Sequence, residues 1–195
     1  MKTKIIALTF FLFASISFAK SQTSDHLVFK SVPIDGTLND YVLKMKQNGF
    51  EHLGTKDETA LLKGDFAGYK NCNVGVSTLK QNDLVNKIAV IFPFQETWST
   101  LSDNYFSLKE MLTEKYGNPT KVVEKFDTYS EPRDDQSKFR EARFDHCKYN
   151  SVFQTEKGAI ELSIENDRVG KCFVKLTYLD KINSGIVKAK AKDDL

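Results

Sequence analysis

Apolar positions recur along the chain at two periods, and the period changes four times. Leu38, Tyr41, Val42 and Met45 fall at i, i+3, i+4 and i+7, which lines one face of a helix. Thr37 stands at its N-cap with Asp40 three residues on, and Gly49 is placed to end it. Trp98, Leu101, Tyr105, Leu108 and Leu112 repeat the helical step, so a second helix is expected over 97–116, stopped by Gly117 and Pro119. Between and after these helices the period falls to two. Strands are expected at 60–62, 74–78 and 85–92 and, after the apolar pair Val122-Val123 and a polar loop, at 144–155, 159–165 and 172–178. A short strand is also expected at Leu27–Phe29, with Val32 and Ile34 continuing it and Pro33 favouring an edge.

Turn residues punctuate this pattern. Gln81-Asn82-Asp83, Glu156-Lys157-Gly158 and Asn166-Asp167 separate strands, and Pro93 stops one. Gly64 and Gly68 bracket Asp65-Phe66-Ala67, which predicts a bulge or bend. Residues 127–138 read as a long polar loop and residues 184–195 as a disordered tail. The order is helix, strands, helix, strands. It predicts an α+β domain over 25–183 in which two helices pack on antiparallel sheet. It also admits a doubled α-β-β-β unit with halves 25–93 and 94–183. Aligning Gly49 with Gly117 leaves the two helical faces one residue out of phase, so a repeat is one of architecture.

Residues 1–19 have the parts of an export signal. Lys2 and Lys4 precede an apolar run from Ile5 to Ile16, and Ser17-Phe18-Ala19 offers small residues at a cleavage site. The run is shorter than the roughly 20 residues a membrane span needs. The first cysteine is Cys72, so no lipid-bearing cysteine follows the cleavage site. The expectation is a soluble periplasmic or secreted domain without a transmembrane segment after cleavage. The sequence has 28 basic and 26 acidic residues, and cleavage removes Lys2 and Lys4, leaving a formally neutral protein. Nucleic-acid binding leans on a clustered basic excess, so no nucleic-acid partner is expected.

An oxidising compartment makes the three cysteines informative. An odd count allows at most one intramolecular disulfide among Cys72, Cys147 and Cys172. If the last three strands form a meander, Cys147 and Cys172 lie two strands apart. That is at least about 10 Å, beyond the roughly 7 Å limit for a bridge. Cys72 is then the better partner for one of them if two sheets meet; three buried thiols are the alternative. His146 and Cys147 point to opposite faces of a strand, so a catalytic thiol at Cys147 needs His26 or His52 as its base. No short ligand spacing marks a metal site, and no cofactor motif is present, so neither is expected. Trp98 and Tyr105 read as core by their spacing. Phe66 and Tyr69, at a glycine-flanked bend, are the first candidates for ligand or partner contact. The 127–138 loop is long enough to serve recognition.

Together with the first helix, the segments Phe66-Ala67-Gly68-Tyr69-Lys70-Asn71-Cys72 and Lys115-Tyr116-Gly117-Asn118-Pro119 resemble exported hypothetical proteins of Bacteroidetes. The resemblance covers most of the mature chain and implies no particular activity. The helix-and-sheet doubling is also similar in outline to the beta-lactamase inhibitor protein fold, which uses a sheet surface to bind a protein. No binding residue of that family matches here. The leading expectation is a non-enzymatic binding or envelope-associated protein that offers a sheet face or a loop to a protein or envelope component. A cysteine-dependent hydrolase and a small-ligand carrier are the alternatives.

Overall fold

The computed structural model describes residues 24–78 and 83–193; the expected signal segment and the turn residues Gln81 and Asn82 lie outside them. A small hairpin, β1 (Val28–Phe29) with β2 (Val32–Pro33), opens the chain. It is followed by α1 (Leu38–Gln47), β3 (Glu51–Lys56), β4 (Thr59–Phe66), β5 (Tyr69–Thr78) and β6 (Val85–Ile91). The second half runs α2 (Trp98–Tyr116), β7 (Lys121–Phe126), α3 (Asp135–Arg143), β8 (Cys147–Thr155), β9 (Gly158–Asn166) and β10 (Cys172–Asp180). It closes on α4 (Lys181–Asp193). Pro33 sits in the separate hairpin, where it takes no ladder donor from the main sheet.

The fold is α+β. Strands β3 to β10 form one antiparallel eight-stranded sheet in the order β3-β4-β5-β6-β10-β9-β8-β7. Each half is a helix followed by a four-strand meander, and the last strands of the halves, β6 and β10, pair at the centre. The expected α-β-β-β unit thus gains one strand per half. β3 gave no sequence signal because all six of its residues are exposed, so no alternation marks it. The single sheet also removes the premise that two sheets meet.

Register explains the alternation in the sequence. Leu62, Val74, Val90, Leu176, Leu162 and Ser151 stand side by side across six strands, and Ala60, Val76, Ile88, Tyr178, Ile160 and Phe153 form the next row. All twelve are buried, and they face the buried residues of α1 and α2. Full burial of one such aliphatic side chain is worth about 1.5–3 kcal/mol. Thr37 caps α1 as expected: its Oγ1 accepts the Asp40 N–H at 3.2 Å and donates to the Asp40 carboxylate at 2.9 Å. Trp98 and Tyr105 are buried, as their spacing predicts. The expected bulge is present, with a register shift between Gly64 and Phe66.

Three local expectations are corrected. The polar loop contains α3, whose N-cap Asp134 and Ser137 form a reciprocal capping box. Only Ala142 of that helix is buried, so its apolar periodicity is too thin to read. Phe144 is exposed at the C-cap of α3, and the strand after it begins at Cys147. α4 covers most of the stretch expected as a disordered tail. Its first turn is held by Asn183, whose side-chain amide donates to the Val85 carbonyl at 2.8 Å and to that of Ile34 at 3.2 Å. No helix among the described residues is long and apolar enough to cross a membrane.

Candidate functional site: the open face of the sheet

Helices α1 to α3 and the β1–β2 hairpin lie on the same side of the sheet. Phe29 meets Tyr178 edge-on at 5.5 Å, Tyr41 and Met45 are fully buried, and Trp98 packs on Phe126 and Tyr149 at 5.0 and 5.2 Å. The opposite face is set by the other half of each strand. Lys63, Asn73, Ile91, Lys175, Ser163, Asn150 and Val123 form one row across it. Leu61, Gly75, Ala89, Thr177, Glu161, Val152 and Lys121 form the next, and Thr59, Ser77, Lys87, Leu179, Ala159 and Gln154 a third. Solvent reaches every position in these rows except Ser163 and Thr177, each 9% exposed.

Charge on this face is one-sided. The paired positions carry lysines 56, 63, 87, 121, 125, 148 and 175 against glutamates 51, 161 and 165. Glu165 is engaged by Lys175 at 3.1 Å, Glu161 accepts a hydrogen bond from Asn150, and Lys148 bridges to Asp145 at 3.3 Å. Lys56, Lys63, Lys87, Lys121 and Lys125 have no ion-pair partner among the described residues. Near neutrality of the chain therefore conceals a basic face. Between the lysines lie short side chains, Gly75 and Ala89 directly opposite each other, with Thr177 beside them. Aliphatic Leu61, Ile91, Val152 and Leu179 surround these.

The expected contact residues are placed elsewhere. Phe66 and Tyr69 flank the tight Ala67-Gly68 turn, where both turn residues have positive φ. Phe66 stacks on Phe29 at 4.9 Å, and Tyr69 meets Phe92 edge-on at 4.9 Å while its hydroxyl donates to Asn104 at 3.2 Å. Both are half-buried against the core at the end of a hairpin, off the open face.

Cys72, Cys147 and Cys172 are unpaired and buried, which corrects the expectation of a disulfide. They stand on β5, β8 and β10 of one sheet. Two strand spacings, about 10 Å, separate the nearest such strands, beyond the roughly 7 Å limit for a bridge. Burial pushes the Cys147 thiol up to about 12 and Cys172 to about 11, and it raises Cys72 as well. The histidines are engaged apart from these thiols: His26 with Asp180, His52 with Thr55, His146 with Glu141.

The 127–134 loop and α3 enclose a surface cleft of about 610 Å³ lined by Tyr129, Glu131, Arg133 and Arg140, among others. Two aspartates of this segment are used locally. Asp134 caps α3, and the Asp135 carboxylate accepts the backbone N–H groups of Trp98 and Ser99 at 3.3 and 2.6 Å, capping α2. Among the described residues no group of three or more His, Cys, Asp or Glu side chains is placed to hold a metal ion. Comparison of the chain with family models, with curated proteins and with solved structures gives no match.

Sequence reading missed the lysines of the open face. Their signal is the strand period: Lys87, Ala89 and Ile91 alternate with buried residues, as do Lys175, Thr177 and Leu179. Which strands stand side by side, and hence that the lysines share a surface, follows only from the register.

Proposed function

We propose that the protein is an exported, non-enzymatic binding protein that docks a partner on the open face of its sheet. The observation that carries this reading is the face itself. Seven strands present a continuous, solvent-reached surface whose lysines are largely without internal partners, while the other face is filled by the core. The candidate nucleophiles point the same way. An activated cysteine needs a depressed pKa and a nearby base, whereas these thiols are buried with raised values. Export rests on residues 1–19, and N-terminal sequencing of the mature protein is expected to begin at Lys20.

A photo-crosslinking amino acid at Leu61 or Lys87, both exposed on the face, tests the docking. Glu110 and Glu114, exposed on α2, are the comparison positions. In cells that make the protein, discrete adducts are expected from the two face positions only. The same bands from all four positions, or none from the face, would sink the proposal.

A further inference from the structure

We infer that the partner of this face is an acidic protein surface. The inference rests on the docking proposal above and adds the chemistry of the occupant. Five lysines on the face, Lys56, Lys63, Lys87, Lys121 and Lys125, have no ion-pair partner among the described residues. They surround a centre where Gly75 and Ala89 recede below them and Leu61 and Ile91 supply apolar area. That is the anatomy of a protein interface, a core of low charge with a charged rim. Complementary charge at such a rim speeds association and rejects wrong partners.

Size fits as well. Seven strands span about 30 Å, and the three rows with the Glu165–Phe173 and Lys125–Lys148 pairs beyond them about 20 Å, roughly 600 Å² in all. A standard interface covers about 800 Å² per partner. A second copy of this chain is disfavoured, because two such faces would set lysine against lysine. Nucleic acid is disfavoured too. The four arginines stand at 133, 140, 143 and 168, none on the face, and the exposed aromatic at its end, Phe94, meets Phe173 edge-on at 5.7 Å rather than joining a run of stacking rings. An anionic membrane calls for apolar groups that project beyond the charges, and here they lie between them.

The probe is the protein carrying the crosslinker at Leu61, with adducts identified by mass spectrometry. The adduct is expected to be a protein joined through an Asp/Glu-rich segment. Lys63→Glu with Lys87→Glu is expected to lower adduct yield by about tenfold or more, and 0.5 M salt to weaken the wild type similarly. Lys44→Glu with Lys46→Glu, on exposed positions of α1, makes the same charge change and is expected to leave the yield unaltered. Purified protein is expected to bind labelled poly-L-glutamate with the same ranking of variants.

Adducts with a neutral or basic protein segment, with nucleic acid or with a second copy overturn the acidic partner and leave the docking face standing. So does a yield that is indifferent to the Lys63 and Lys87 reversals, or one that falls equally with the α1 reversals. Absence of any adduct from the face removes both proposals.

Discussion

His26 and Asp180 stand 154 residues apart in the chain and 3.0 Å apart in the fold, ring Nδ1 to carboxylate. The Asp180 side chain is fully buried, and three groups share it. Besides the ring, one oxygen accepts the Leu27 N–H at 2.9 Å and the other the Asn183 N–H at 3.0 Å. The other ring nitrogen of His26 lies 3.7 Å from Asp35. This clasp joins the start of the described chain to the first turn of α4. Both ring nitrogens face carboxylates, so the histidine is committed to structure.

Asp180→Ala strips three buried or half-buried donors of their acceptor and is expected to cost about 3 kcal/mol, read as a lowered urea midpoint. Hydrogen exchange is expected to quicken first at residues 26–35 and in the first turn of α4. An unchanged midpoint sinks the clasp. The clasp is also acid-sensitive through Asp35. Burial opposes ionisation there, but hydrogen bonds from Asn183 and the Gly36 backbone, with His26 and Lys44 nearby, outweigh it and hold the carboxyl below its ordinary 3.8. A carboxyl with a depressed folded value contributes stability above its unfolded value and loses it as pH falls through the folded one. Thermal midpoints are therefore expected to drop below about pH 4, and less steeply in Asp35→Asn.

Two buried tyrosines are expected to respond oppositely to loss of the hydroxyl. The Tyr105 hydroxyl lies 2.7 Å from Ser151 Oγ and donates to Glu124 at 3.2 Å, so Tyr105→Phe leaves the fully buried Ser151 without its partner. A loss of about 1–3 kcal/mol is expected. The Tyr41 hydroxyl is buried with no hydrogen-bond partner among the described residues. Tyr41→Phe removes an unsatisfied polar atom and is expected to leave stability within about 0.5 kcal/mol or raise it. Equal losses in the two variants by urea denaturation would show that Tyr41 has a partner in solution.

The thiols give a third test. With Cys147 and Cys172 raised to about 12 and 11 by burial, almost no thiolate exists in the folded protein near pH 8. A disulfide-exchange reagent at pH 8 is expected to find no fast-reacting thiol in the native state and three in denaturant. One thiol labelled within seconds in the native protein would revive a cysteine-based activity.

The period of the apolar residues made most of this fold legible. Leu38 to Met45 and Trp98 to Leu112 are helices because their faces close on the core, and Ile160–Ile164 and Cys172–Tyr178 alternate because one face of each strand is buried. What escaped was structure held by other means. β3 is paired along one side and exposed on every side chain. α3 is held by its capping box, and the start of α4 by Asn183 and Asp180, polar contacts to residues far away in sequence. The site escaped for a related reason. Lys63 and Lys175 are neighbours of Asn73 and Ile91 only through the pairing of β4, β5, β6 and β10, which no local pattern encodes. Phe66 and Tyr69 stood out because glycines flank them, and that bend serves a turn packed on Phe29 and Phe92.

Two strand glycines separate what the fold requires from what the face requires. At Gly64 a Cβ would stand 2.5 Å from the Phe50 ring, so Gly64→Ala forces that buried ring aside and is expected to cost about 1–3 kcal/mol. Gly75 has no such reason. Its φ is not positive, the register runs unbroken from Asn73 to Ser77, and a Cβ would meet nothing closer than Thr59 Cγ2 at 3.7 Å. A glycine inside a strand weakens it by about 0.5–1 kcal/mol, so Gly75→Val is expected to raise stability by that order. On the proposed docking reading the same valine fills the centre of the face. A variant with a higher urea midpoint is then expected to lose its Leu61 adducts. Loss of adducts together with a lower midpoint would trace the effect to misfolding, and retained adducts in a stabilised protein would move the partner off the Gly75–Ala89 centre.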